Sequence, residues 1–210
     1  GTTVLRLRAF KEGMLPSEVV TYTYRQSDIN HTLPVLMVTA DPKDLYSDEM
    51  GIFVTGTNGV RGSGIDFSCN WNNDWDRAAD MEYFDGDGNS VFKQEVNISR
   101  FGGWSRSWYP YNFKLKAQKQ YEGLNYLEYP FFSGEKPYLK HKVLQVRNGG
   151  NDVFSRIKDA ALHKIILSSG FYIDCQDYQP VHCYVNGEYM GMLNLREPSN
   201  KHFALANYGI

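Results

Sequence analysis

The residues best suited to hold an anion lie in Ser99-Arg100-Phe101-Gly102-Gly103-Trp104-Ser105-Arg106-Ser107-Trp108-Tyr109-Pro110. Paired glycines let a ligand approach the backbone closely, and flanking arginines suit a phosphate or a carboxylate. Lys114 and Lys116 follow at alternate positions, so one face of a strand would carry both. They either extend such a site or form its solvated side. A plain hairpin turn would also use Gly102-Gly103.

Other constellations carry less chemistry. Asp85-Gly86-Asp87-Gly88-Asn89 resembles the opening of a calcium loop, but Ser90 and Val96 stand where that loop needs Gly and Glu. It reads as an acidic hairpin turn. Trp71-Asn72-Asn73-Asp74-Trp75-Asp76 has the indoles and amides of a sugar-binding loop, although indoles also fill ordinary cores. His31, His141, His163, His182 and His202 show no metal-ligand spacing, so no metal site is expected. Cys69, Cys175 and Cys183 fit no zinc or redox pattern and read as small buried thiols. Gly-x-Ser-x-Gly is absent, which leaves a hydrolase nucleophile elbow without support.

The elements that must position these residues are mostly strands. The 210-residue chain has 22 basic and 24 acidic residues, a balance that argues against nucleic acid as a partner. No run approaches the ~20 apolar residues of a membrane-spanning helix. With 15 Tyr, 12 Phe and 4 Trp the chain is rich in residues that favour sheets and clefts. Residues 2–10 and 18–25 read as paired strands, and the polar stretch Arg25–His31 as a linker, dividing the chain into 1–26 and 27–210. A two-stranded hairpin is not stable alone, so residues 1–26 are expected to be the end of a truncated module. Further strands are expected at 33–39, 78–84, 91–98, 112–117, 179–185 and 188–195, the last pair turning at Asn186-Gly187. Residues 51–75 read as a long loop. One helix is expected from Val153 to Ser168, its apolar face formed by Ile157, Ala161 and Ile165 with Leu162 and Ile166. Asp152 and Gly170 are its candidate caps.

Several motifs in order resemble the spore-coat-protein-H (CotH) family of atypical, secreted or surface-associated protein kinases. They are Leu33-Pro34-Val35 with Asp41-Pro42-Lys43-Asp44-Leu45, Gly51-Ile52-Phe53-Val54, and Trp75-Asp76-Arg77 leading to Glu82-Tyr83-Phe84. Gly102-Gly103-Trp104-Ser105-Arg106 and Arg147-Asn148-Gly149-Gly150-Asn151-Asp152 follow, then Asp159-Ala160 and Val185-Asn186-Gly187-Glu188-Tyr189-Met190-Gly191 running to Arg196-Glu197. Residues 3–24 separately resemble the tail of the β-sandwich module at the C-terminus of chitobiases.

The CotH resemblance implies an α+β fold: a mostly antiparallel β-sheet with one main packed helix, like an atypical protein-kinase N-lobe. It implies ATP with Mg or Mn as cofactor of the full-length protein, none being expected on this fragment. Gly102, Gly103, Arg106 and Lys114 would face the phosphates, and Asp159 would orient one of the basic groups. The family's catalytic and metal-binding residues are expected beyond Ile210, so the fragment should be inactive alone. Tyr111 stands where the family usually has a lysine, and Arg100 corresponds to the basic residue before the glycines. A secreted or cell-envelope location and a protein substrate or surface partner are implied as well. The alternative is a non-catalytic surface module binding glycan or protein, to which Tyr111 and the Trp71/Trp75 loop point.

Overall fold

A computed structural model of the chain describes residues 2–25, 31–62, 65–132, 139–152 and 154–210. The linker boundary expected after residue 26 and the helix start expected at Val153 lie outside the described residues. The chain begins with β1 (Thr2–Leu7) and β2 (Val20–Arg25), followed by β3 (Val35–Ala40) and the short helix α1 (Pro42–Tyr46). Next come β4 (Val60–Gly62), β5 (Ile65–Cys69), β6 (Arg77–Phe84), β7 (Ser90–Arg100), β8 (Phe113–Ala117), β9 (Leu127–Glu128), β10 (Lys140–His141) and β11 (Val143–Arg147). Helix α2 (Lys158–Ser168), β12 (Tyr178–Val185), β13 (Glu188–Arg196) and α3 (Lys201–Tyr208) complete it.

Seven of these strands close on themselves in the order β11-β13-β12-β3-β6-β7-β8, because β8 bonds to β7 on one side and to β11 on the other. All neighbours are antiparallel except β3 and β12, which run parallel with Leu36 opposite Cys183. Strict alternation along the strands fills the interior. Leu36 and Val38 meet Met81, Val96, Ile98, Phe113, Leu115, Leu144, Val146, Val181, Leu193 and Leu195, all essentially water-free. β3 is buried on both faces: Val35 and Met37 pack outward with Phe84 and Tyr184. The β1–β2 hairpin lies against this outer side, where the Thr21 hydroxyl donates to Asp80 and the Lys93 ammonium to the Thr21 carbonyl.

This barrel overturns the expected α+β sheet with one packed helix and a kinase N-lobe shape. The protein is mostly β, and its main sheet closes into a seven-stranded barrel instead of lying open against a single helix. The helix itself is placed differently. It starts at Lys158, because Arg156 takes a left-handed φ of 60° and interrupts any earlier helical run. Its expected apolar face points away from the barrel, leaving Leu162 and Ile165 exposed, and Ala160 is its one buried residue. What turns toward the strands is polar: Asp159 and His163, which meet Arg147 and Arg196. Gly170, at φ 78°, follows the last turn as expected.

Candidate functional site

Strand register gathers the motif loops at one end of the barrel. Ala40 lies opposite Ala79, Arg77 opposite Ile98, Arg100 opposite Phe113, Phe113 opposite Val146, and Val38 beside Val185. The ends of β3, β7 and β11, the starts of β6 and β8 and the Asn186-Gly187 turn therefore share one rim. Both Gly-Gly turns sit there, and two buried asparagines join them. The Asn112 amide donates to the Ser105 hydroxyl (2.9 Å), and its Oδ1 accepts the Asn148 backbone N–H at 2.7 Å. Asn148 donates to the Pro110 carbonyl (2.8 Å) and accepts the Gly150 N–H (3.0 Å). Deep burial of both side chains makes these bonds expensive to lose.

Beside the second turn is a cleft of about 390 Å³, lined by Arg147, Gly149, Asn151, Asp152, Lys158, Asp159 and Leu162. Gly149 must be glycine: its φ is 94°, and a Cβ would sit 2.8 Å from the Asp152 carbonyl and 2.9 Å from the Arg156 Cα. A Cβ on Gly150 would lie 4.0 Å from the Arg147 guanidinium, so the turn keeps that cation close to bare backbone. Asp152 anchors the turn, accepting from the Ser155 hydroxyl (2.5 Å) and the Lys158 N–H (2.6 Å); these bonds hold its carboxyl below the usual range. Asp159 Oδ2 accepts from Arg147 at 3.0 Å and from Arg196 at 2.6 Å. Arg196 is 1 % exposed, and burial lowers its pKa against the opposing pull of Asp159. Its other terminal nitrogen is 2.6 Å from His163 Nδ1. A guanidinium only donates, so Nδ1 of His163 accepts this bond. The Gln176 carbonyl, 3.3 Å from the same Nδ1, would need the opposite tautomer, and the shorter contact decides.

Residues 98–209, more than half of the chain, match the family model of the CotH kinase protein. The chain belongs to the CotH family. No curated protein matches it.

In this CotH chain the residues expected to form the site lie at or beside the same rim. Gly102, at φ 107°, and Gly103 lead into a turn of 3₁₀ helix at Trp104–Ser107. Arg106 is used within that loop, donating to the Gly102 carbonyl at 2.9 Å and the Trp71 carbonyl at 3.3 Å. Lys114 projects from the outer face of β8 opposite Gln145, with no hydrogen bond or ion pair among the described residues. Asp159 orients basic groups, but these are Arg147 and Arg196 rather than Arg106 or Lys114.

Of the cations beside the cleft, Arg147 belongs to one of the family motifs and Lys158 to none of them. Arg147-Asn148-Gly149-Gly150 carries the same signal as Arg100 with Gly102-Gly103: a cation next to paired glycines. Arg100, unlike Arg147, is a buried cation, 1 % exposed, with its guanidinium 4.5 Å from the Tyr111 ring and 5.4 Å from Phe53. One nitrogen donates to the Asn112 carbonyl at 3.2 Å, and the other two have no hydrogen-bond partner among the described residues. Burial pulls its pKa down to about 9. Tyr111 thus stands on a cation. The tryptophan loop is tied into packing: Trp75 lies under the Arg77 guanidinium at 4.8 Å, and the Trp71 carbonyl holds Arg106.

Proposed function

We propose that, contrary to the expectation of no nucleotide on this fragment, this CotH domain holds the phosphates of ATP in the cleft between the Gly149-Gly150 turn and α2, as the nucleotide-side part of a protein kinase. The observation that carries this reading is Arg147 beside bare glycine backbone, with Lys158 across the same cleft. Arginine and lysine are the usual phosphate partners, and Gly149 leaves the close approach that a phosphate needs. Arg147 keeps its orientation through Asp159, whose second bond to buried Arg196 fixes the acid in place. In this reading Gly102, Gly103 and Arg106 shape the neighbouring loop, and Asn112 and Asn148 transmit that shape to the cleft. Lys114 lies beside it.

A bound metal fits less well. The oxygens of Asp152 and Asp159 are already engaged with N–H and O–H donors, and no group of three or more metal-binding side chains occurs among the described residues. The reading carries the family's secreted or cell-envelope location with it. It also takes the β1–β2 hairpin as the tail of a β-sandwich module. Leu5, Leu7, Val20, Tyr22 and Tyr24 share one exposed apolar face there, as strands do when their partner sheet is missing.

The test is a thermal-shift titration of the whole chain with ATP, and of the R147A/K158A double variant. A ligand at 100 times its Kd stabilises the fold by about 2.7 kcal/mol. Hydrogen bonds to charged groups contribute about 1.5–3 kcal/mol each, so the double variant should bind ATP at least a hundredfold more weakly. Equal affinity in the variant, or no shift in the parent chain up to millimolar ATP, refutes the assignment.

A further inference from the structure

Below the cleft the outer face of β8 and β11 is a strip of cations. From the rim downward it carries Arg147 and Lys114, then Lys116 opposite Val143, then Lys142 just before β11. Lys142 is fixed there, donating to the Ala117 carbonyl (2.5 Å) and to Asn125 Oδ1 (2.7 Å). Helix α3 packs on β10 next to it and brings Lys201 and His202 to the same region, while Lys119 follows the end of β8. Their charges act on two members: Lys116 and Lys119 add to the burial that lowers the Lys142 pKa, and Lys201, Lys142 and Lys116 do the same to His202. Arg147 meets Asp159 at the rim end and Lys116 meets Asp76 at 3.6 Å, while Lys114, Lys119 and Lys201 have no ion pair among the described residues. Such segregation stands out in a chain whose net charge is −2.

We propose that this strip docks an acidic polypeptide segment in extended conformation, running from α3 toward the Arg147 cleft. From residue 142 to residue 147 a strand spans roughly 17 Å, about five residues of extended chain. The scale suits a short peptide better than a nucleic acid or a membrane, which would also meet the negative remainder of the surface. That the segment is the kinase's substrate rests on the nucleotide reading above, since the strip ends at the phosphate cleft.

The test uses the whole chain and a fluorescein-labelled peptide of eight Asp and Glu residues around one Ser, followed by fluorescence anisotropy at 50 and 300 mM salt. Binding is expected at low salt, falling steeply at 300 mM, with none for the same peptide bearing Lys in place of the acids. K119E/K201E, which alters neither the cleft nor a bonded lysine, should weaken binding at least tenfold and leave the ATP thermal shift intact. Unchanged binding in that variant overturns the proposal, and so does tighter binding of a single-stranded oligonucleotide or of phosphatidylserine vesicles. Peptide binding by a chain that shows no ATP shift supports the docking strip and overturns the nucleotide reading, so the two fail separately.

Discussion

Replacing Asp159 with Asn would test whether α2 is held to the barrel by charge rather than by apolar packing. The carboxylate accepts from Arg196 at 2.6 Å and from Arg147 at 3.0 Å. Breaking a fully buried pair by removing one partner costs about 3–5 kcal/mol, because the remaining charge is left without compensation. Asp159 is 39 % exposed, however, and Arg147 30 %, so water screens part of the interaction. The Arg147 contact should contribute no more than about 1 kcal/mol. Arg196 at 1 % exposure has little water to turn to, and its Nε already lacks a partner among the described residues. A net loss of about 2–3 kcal/mol is expected for D159N. In a chain of this size that corresponds to roughly 5–10 °C in Tm. Urea melts give the free energy directly, and a double-mutant cycle isolates its cause. In an R196M background the buried charge is gone, so D159N should then cost under about 1 kcal/mol. Equal losses in both backgrounds would refute the argument that an uncompensated Arg196 is what destabilises the variant.

Four further outcomes follow from the same geometry. N148A strips the Pro110 carbonyl and the Gly150 N–H of their partner, so a loss of about 2–3 kcal/mol in urea melts and weaker ATP binding are expected; full retention of both would separate the two turns. G149A forces a Cβ into the Asp152 carbonyl at positive φ and should cost about 1–3 kcal/mol; a Tm equal to the parent's would disprove the constraint. R100M replaces a buried cation that has no acid partner among the described residues with an apolar chain, so stability should hold or rise by about 1–3 kcal/mol, and a large loss would show a hidden counter-ion. Burial raises the phenol of Tyr83 and pushes that of Tyr46 up to about 12. The unfolded chain therefore releases these protons first, near pH 10, and stability should fall as pH rises beyond that. Y83F should flatten the fall in melts at pH 9, 10 and 11.

Local chemistry was legible in the sequence where a short stretch decides its own structure. Asn186-Gly187 turned as expected, with φ of 50° and 82°, and Asp85 closed its acidic turn onto Asn89 at 2.8 Å. The β6–β7 and β12–β13 hairpins fell within two residues of their expected bounds. β11 was missed although Val143–Arg147 alternates much as β8 does, and α3 because eight residues with little apolar bias give no period to read. Closure could not be read from any one segment. It depends on β3 pairing in parallel with β12, some 147 residues away, and on β8 meeting β11, and each strand alone alternates as it would in an open sheet.

The same reason explains why α2 was misplaced. Its apolar periodicity predicted packing through Ile157, Ala161 and Ile165, but the strands beneath it offer Arg147 and Arg196 on their outer faces. A guanidinium with almost no exposed surface needs an acid far more than an exposed leucine needs cover. The helix is therefore oriented by Asp159 and His163, and its apolar residues remain outside. Where a helix meets a strand face carrying buried cations, the position of its acids is the better guide to its orientation. Here that rule also locates the cleft, because the carboxylate that anchors the helix is the one that holds Arg147 beside the glycine turn.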